Sequence, residues 1–320
     1  TFVDSSWYFL RYASPKYVEG PFDPIAMKKW QPVDQYTGGA EHAVMHLLYS
    51  RFFIKALRDI GLLEFNEPFI RLFNQGHITY SGSRMSKSRG NVVSPDKYVK
   101  KVGADAVRCY LMFLGPWDQG GDWIDTGING ISRWLNRIRH LATQDPNTLV
   151  SSKVSAAKGD ELNRSIHKTL KKVTEDLGNF KFNTTIAALM ELTNNLNDLW
   201  KEGQLDQNLW ESAIRNLLLM VAPLAPHIAE ELWEINGLKY SIHSQQWPEW
   251  NPEFVKEADI NLVVQVNGKV RDTILVSAEI TEDAAKETAI LSKKIGIHIE
   301  GKEIKKTIYV PGKLVNIVAL

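Results

Sequence analysis

The chain has 320 residues, 44% of them hydrophobic and 23% charged, with 38 Lys and Arg against 37 Asp and Glu. That length suits about two or three domains, and a net charge of +1 excludes a uniformly basic nucleic-acid binder, so any RNA contact has to come from local patches. A single cysteine excludes an internal disulfide and fits a reducing cytosol, and no apolar run is long enough to cross a bilayer.

Residues 1 to about 80 alternate short apolar runs with amphipathic helices, as α/β layers do. Val33 to Thr37 reads as a strand ending at Gly38-Gly39. A helix is expected from about Glu41 to Ile60, with Val44, Leu47, Leu48, Phe52, Leu57 and Ile60 on its apolar face and Gly61 as its stop. Phe69 to Phe73 is a second strand, with Asn74-Gln75-Gly76-His77 as its exit. A strand, a glycine exit and a helix form the usual ligand-binding edge of a nucleotide-binding sheet.

Arg84-Met85-Ser86-Lys87-Ser88-Arg89-Gly90-Asn91 follows, a loop of cations, hydroxyls and one glycine with hardly any apolar side chains. Such a loop can hold a polyphosphate and rearrange, because Lys87 is a mobile point charge and Gly90-Asn91 tolerate positive φ. A nucleotidyl transfer builds negative charge on the leaving pyrophosphate. Lys87 is therefore the residue expected to carry chemistry, with Ser86 and Ser88 able to hydrogen-bond the same oxygens.

From Ser94 the pattern turns helical. Ser94-Pro95-Asp96 reads as a capped helix start, and a short helix runs from Ala104 to Leu114, ending at Gly115-Pro116. Cys109 lies in its apolar run and reads as a core residue rather than a nucleophile. A loop with Trp117, Gly120-Gly121 and Trp123 follows; either tryptophan could pack or stack on a base. Helices near 127–144, 159–178, 183–202, 207–222 and 224–236 read as an antiparallel bundle. The polar connector from Gln144 to Lys158 carries Asp145-Pro146-Asn147 and Ser151-Ser152. A boundary is expected between Gln246 and Asp259, after which the period becomes that of strands. Leu262 to Val266 and Val270 to Val276 flank Asn267-Gly268, a strong hairpin signal. Thr281-Glu282-Asp283 caps a helix, and Thr307 to Val310 and Leu314 to Val318 flank Pro311-Gly312.

Gly38-Gly39-Ala40-Glu41-His42, between strand and helix, could approach a nucleotide closely, with Glu41 accepting from ribose hydroxyls; a plain glycine turn is the alternative. His42 and His46 share a helix face, but with no third ligand in view a metal site is not expected. Phe2-Val3-Asp4-Ser5-Ser6-Trp7-Tyr8 suits a pocket for an apolar side chain with a polar head, or equally a helix packed on a core. Three basic runs, Lys97-Lys100-Lys101, Arg133-Arg137-Arg139 and Lys168-Lys171-Lys172, could meet an RNA backbone or be ordinary solvated faces.

Arg84 to Ser88 resembles the Lys-Met-Ser-Lys-Ser signature of class I aminoacyl-tRNA synthetases. In order, Thr1 to Tyr8, Gly38 to Tyr49, Arg84 to Asn91, Gly103-Ala104-Asp105-Ala106-Val107-Arg108, Phe182-Asn183-Thr184 and Ala222 to His227 resemble the leucyl-tRNA synthetases. Val264 to Arg271 and Tyr309 to Leu314 resemble the C-terminal module of the bacterial members. The resemblance implies the second part of a Rossmann-like catalytic domain over 1–93 and a connecting, stem-contact segment over 94–126. It implies a helical-bundle tRNA-binding domain over 127–250 and an α+β tRNA-binding module over 259–320. Phe2, Ser5, Tyr8, His42 and His46 would then line a leucine pocket. Gly38, Gly39, Glu41, His77, Ile78, Met85 and Lys87 would face ATP, and Lys87 with Ser86, Ser88 and Arg84 would serve catalysis. Arg108, Trp123, Arg133, Arg137, Lys168, Lys172, Lys269 and Arg271 would meet tRNA. The implied reaction is leucine activation by ATP with Mg²⁺, then transfer to tRNA(Leu), in the cytoplasm.

Three departures qualify the match. Arg84 stands where the signature has Lys; only six residues separate Ile78 from Met85, where many bacterial relatives insert a domain; and His-x-Gly-His occurs nowhere. A Thr-rich editing domain is missing too, and the chain starts at Thr1 without Met. The expectation is an incomplete portion, inactive alone, that needs an N-terminal portion carrying His-x-Gly-His in cis or as a separate subunit. A valyl or isoleucyl enzyme and a non-catalytic tRNA-binding remnant stand as alternatives.

Overall fold

The structure, a computed structural model, describes residues 2–149, 154–256, 259–278 and 280–320. Thr1, Ser151-Ser152 of the polar connector and residues 257–258 of the expected boundary lie outside the described residues. The chain divides into two compact units, Thr1–Trp250 and Asn251–Leu320.

The first unit opens with helices α1 (Phe2–Tyr12) and α2 (Pro24–Trp30), strand β1 (Val33–Gly39), helix α3 (His46–Asp59) and strand β2 (Phe69–Gln75). β1 and β2 pair in parallel, Val33 opposite Phe69 and Gly39 opposite Gln75, so the glycines expected as an exit belong to the strand itself. Phe9, Leu10, Phe22, Met27, Ile54 and Leu63 form the core here, with Tyr36 stacked on Phe69 at 3.7 Å.

The single helix expected from Glu41 is two pieces. A 3-10 turn covers Ala40–His42, and Met45 (φ −117°, ψ −98°) breaks the chain before α3 begins. The expected apolar face also fails in part: Leu47 is buried and Leu57 half-buried, but Val44 (75%), Phe52 (70%), Leu48 and Ile60 are exposed. Parallel strands are ordinarily covered on both faces, and this pair has no further strand beside it among the described residues.

β3 (His77–Tyr80) and β4 (Ser83–Arg84) form a hairpin on Ser81-Gly82, both at positive φ, as a tight turn matching strand twist requires. Helices α4 (Asp96–Val102) and α5 (Ala104–Phe113) follow. Ser94 does not cap α4: its hydroxyl turns to the Asp96 carboxylate at 3.4 Å, and Pro95 holds the cap position with helical dihedrals. The segment expected as a glycine loop contains a strand, β5 (Gly120–Trp123), parallel to β3. Gly76 and Gly120 permit the crossing. A Cβ on Gly76 would lie 2.2 Å from Gly120 N, and one on Gly120 would lie 2.0 Å from the His77 carbonyl oxygen.

The bundle comprises α6 (Ile128–Ala142), α7 (Ala156–Gly178), α8 (Phe182–Glu202), α9 (Gln207–Val221) and α10 (Pro226–Ile235). α7 starts three residues earlier than its apolar period suggests, because the Ser155 hydroxyl caps it; α10 starts two later, at Pro226 in the first helical turn. Trp134, Trp210 and Trp233 are fully buried, and the Trp134 indole N–H donates to Thr193 Oγ1 at 3.0 Å between α6 and α8. Cys109 sits in the same core, its thiol pushed up to about 12 chiefly by burial.

Two sequence motifs bind each other. The Asp105 carboxylate accepts the Ile228 N–H and lies 2.7 Å from His227 Nδ1, while the Arg108 guanidinium donates to the carbonyls of Pro223 and Leu224. Aromatic rings join the bundle to the α/β part: Phe180 stacks on Phe73 of β2 at 5.0 Å, and Phe182 meets Trp117 edge-on at 4.9 Å. The Gly76 N–H donates to the Trp117 carbonyl at 2.8 Å, which closes the circuit.

The second unit holds a short helix α11 (Pro252–Val255), strands β6 (Asp259–Val266) and β7 (Lys269–Ser277), helices α12 (Glu282–Leu291) and α13 (Lys293–Ile299), and strands β8 (Ile304–Val310) and β9 (Leu314–Ala319). The sheet order is β7-β6-β9-β8, two hairpins joined by a parallel β6–β9 pairing. Asn267 and Gly268 both take positive φ in the first hairpin turn, and the Thr281 hydroxyl caps α12. Leu262, Val264, Ile295, Val315 and Ile317 are its core.

Candidate active site

Where β1 ends, an open cavity of about 600 Å³ is lined by Phe2, Ser5 and Tyr8 of α1, Gly38 and Gly39 of β1, and His42 and His46. All five residues expected around a leucine and both glycines expected near a nucleotide therefore share one cavity. The lining also includes Tyr36, which sequence reasoning missed. Its hydroxyl lies 2.5 Å from the Tyr8 hydroxyl and 2.6 Å from His46 Nε2. Burial, then the neighbouring His42, lowers the His46 pKa from its ordinary value, while the Ser5 carbonyl acts the other way. A neutral Nε2 can accept from Tyr36, so the three side chains form one relay. Strand alternation places Tyr36 on the same face as Asp34, and nothing in the sequence marks it out.

Beside the cavity, Glu41 meets the signature loop. Its Oε1 accepts from Arg84 Nη2 at 3.1 Å, and its Oε2 lies 3.7 Å from His77 Nε2. Its own backbone N–H holds the carboxyl below the usual range, and His77, Arg84 and His42 add to the effect.

The loop itself is tied by a residue read differently from the sequence. Only Gly90 takes positive φ there (66°); Asn91 instead uses its side chain, accepting from the Ser86 N–H at 2.9 Å and donating to the Arg84 carbonyl at 3.2 Å. The Ser86 and Ser88 hydroxyls lie 2.7 Å apart. Met85, expected against ATP, packs with Ile78 against the main core and so anchors the loop. Lys87 is exposed and enters no ion pair found among the described residues. Asp122, also unforeseen, accepts from Thr79 Oγ1 and the Gly82 N–H and fixes the hairpin that leads into the loop.

The residues expected at tRNA are scattered. Trp123 is 4% exposed, wedged between Tyr98 and Tyr110 with its indole N–H on Asp125; its ring belongs to the core and offers no face for stacking. Arg108 spends its guanidinium on the 223–224 turn, and Lys172 is paired with Asp176 at 2.9 Å. Lys168 is exposed on α7. Arg133 and Arg137 are exposed on α6 along a groove shared with Asn136, His140, Phe113 and Met190. Lys269 and Arg271 are exposed on β7 of the second unit. Among the described residues no group of three His, Cys, Asp or Glu could hold a metal ion, and no helix is long and apolar enough to cross a membrane.

A parallel strand that ends in two glycines, beside a basic, hydroxyl-rich loop, fits a nucleotide-binding α/β edge, and the comparisons give its class. A family model described as "tRNA synthetases class I (I, L, M and V)" matches residues 19–120, and "Anticodon-binding domain of tRNA ligase" matches residues 160–286. A leucine–tRNA ligase of Dehalococcoides mccartyi is 56% identical over 99% of this chain, which covers 39% of that relative. One of Rubrobacter xylanophilus is 54% identical over 99% of this chain and 38% of the relative. The solved ternary complex of an Agrobacterium radiobacter K84 LeuRS with tRNA and LeuAMS is 37% identical, with a TM-score of 0.86 over 100% of this chain and 42% of that one. A Mycobacterium tuberculosis methionyl-tRNA synthetase, 19% identical with a TM-score of 0.60 over 75% of this chain, shares the fold alone.

Along 99% of its length the chain matches one portion of the leucine–tRNA ligases. It spans about two fifths of the length of the relatives it matches, 39% of the first.

Proposed function

We propose that this chain supplies the pyrophosphate-clamping half of a leucine-activating site, together with tRNA-binding modules, for a leucine–tRNA ligase. The reaction joins the leucine carboxylate to the α-phosphate of ATP, taken as its Mg²⁺ complex, releases pyrophosphate, and then passes the leucyl group to tRNA(Leu). A cytosolic setting accompanies that reading.

The observation that carries it is the meeting of three groups at one strand end: the Phe2, Ser5, Tyr8, His42 and His46 cavity, the Gly38-Gly39 edge, and the loop that presents Lys87. The apolar wall suits an aliphatic side chain, and the relay through Tyr36 offers polar partners for a head group. Ser86, Lys87 and Ser88 suit pyrophosphate oxygens, and Lys87 has the freedom to follow charge as it develops. Arg133, Arg137, Lys168, Lys269 and Arg271 remain the best-placed cations for RNA phosphates, because each is exposed and none enters an ion pair found among the described residues. The exposed Val44, Phe52, Ile70 and Leu72 around the two-stranded parallel pair suit a covering portion that carries His-x-Gly-His.

The test is leucine-dependent ATP–pyrophosphate exchange by this chain alone and mixed with such an N-terminal portion. Exchange is expected only in the mixture, and Lys87→Ala should lower it by about 10²- to 10³-fold, the usual effect of removing one transition-state charge partner. Exchange by the chain alone, or a Lys87→Ala mixture as active as the unmodified one, would overturn the reading.

A further inference from the structure

Glu41 has more partners than a ribose acceptor needs. Its carboxylate accepts from Arg84 at 3.1 Å and stands 3.7 Å from His77 Nε2. It also folds back over Gly39, where an added Cβ would fall 2.2 Å from Oε2. Three segments thus converge on one carboxylate: the turn after β1, the start of β3, and β4 leading into the signature loop. The space above Gly39, which a missing side chain leaves open for a nucleotide, is filled by Glu41 itself.

We propose that the Glu41–Arg84 pair is a latch on the signature loop, released by the ribose hydroxyls of an adenine nucleotide. This rests on the reading of Gly38, Gly39 and Glu41 as the nucleotide edge. A ribose diol brings two O–H donors to a carboxylate. To receive them Glu41 swings off Gly39, and the hydroxyls compete with Arg84 Nη2 for Oε1. The loop then moves as a piece, because the Asn91 side chain ties the Arg84 carbonyl to the Ser86 N–H, and Gly82 and Gly90, at positive φ, stand on either side as pivots. Arg84 is thereby a positioning residue that keeps Lys87 back until a nucleotide is seated, and its guanidinium is freed for a phosphate once the ribose has taken its partner. Both side chains of the pair are about half exposed, so the hold is modest.

Trypsin cleavage after Lys87 and Arg89, followed by mass spectrometry on this chain, reads the latch directly. Glu41→Gln, which keeps shape and loses charge, should speed cleavage by about two- to five-fold, the range an exposed ion pair supports. Arg84→Met should do the same from the other side. In the unmodified chain, adenosine, which brings the diol without phosphates, should speed cleavage, whereas 2′,3′-dideoxyadenosine should not, and Glu41→Gln should ignore both. Unchanged cleavage in Glu41→Gln and in Arg84→Met overturns the latch, whether or not nucleotides bind. Faster cleavage in the variants with no response to adenosine overturns release by ribose. Equilibrium dialysis with adenosine separates the two levels: absence of binding counts against the nucleotide edge itself, while the comparison of variants without ligand still decides the latch.

Discussion

His46 shows how one buried ring can set a pH response. Burial, and next His42, lower its pKa below the ordinary 6.5, so the unfolded chain binds this proton more tightly than the folded one. The stability it contributes is complete above pH 6.5 and is lost as pH falls from there toward the folded value. His46→Gln should remove that portion of the slope: between pH 7.5 and 5.5 the urea midpoint of the variant should fall less than that of the unmodified chain. Equal slopes would place the titration elsewhere. The Tyr36 hydroxyl, 2.6 Å from Nε2, supports the neutral ring, since it can donate there only while Nε2 is unprotonated. Sequence brought His42, His46, Tyr8, Ser5 and Phe2 to notice through a motif. It could not show Tyr36, Asn91 or Asp122, whose roles arise from contacts with residues 10, 5 and 40 positions away. Trp123 illustrates the reverse case, a residue that looks like a stacking platform and is consumed by Tyr98 and Tyr110.

Among the elements, the bundle helices were the most legible, because apolar residues recurring every 3.6 positions mark them and local caps set their ends. α8 and α9 begin within one residue of where their period starts. β5 was illegible for a physical reason: its Gly-Gly has no strand preference of its own and is held by pairing with β3 and by the tight crossing at Gly76. The parallel β6–β9 pairing, likewise, joins strands about fifty positions apart with no turn to announce it. Within the bundle, the buried bond from Trp134 to Thr193 couples α6 to α8. Thr193→Val keeps the volume but strands the indole N–H, so it should cost about 1–3 kcal/mol. Chemical denaturation followed by tryptophan fluorescence measures this; a variant as stable as the parent would mean that the indole finds another acceptor.

At the scale of the whole molecule, a first unit with a well-filled helical core carries an α/β part that is only partly clothed. Phe9, Ile54 and Leu63 close one side of the β1–β2 pair, while Val44, Phe52 and Ile70 face outward, so the same sheet is both a finished core and an unfinished one. The composition of the chain gave no hint of this imbalance, since the apolar residues are present in ordinary number and only their placement is unusual. The Asp105–Ile228 and Arg108–Leu224 bonds explain why two motifs more than a hundred positions apart stand out together: side chains of the first satisfy backbone groups of the turn and helix start in the second.

Cys109 has a practical consequence. It is the sole sulfhydryl, it is 0% exposed, and its thiol is pushed up to about 12, so almost no thiolate exists at neutral pH. Maleimide should leave the folded chain unmodified over hours and label it fully in denaturant; rapid labelling of the folded form would mean that the core around α5 opens readily. With that silent background, one cysteine introduced at Ser88 would accept a single fluorophore, and the proposed release of the loop could be followed in real time without removing a native residue from the interior.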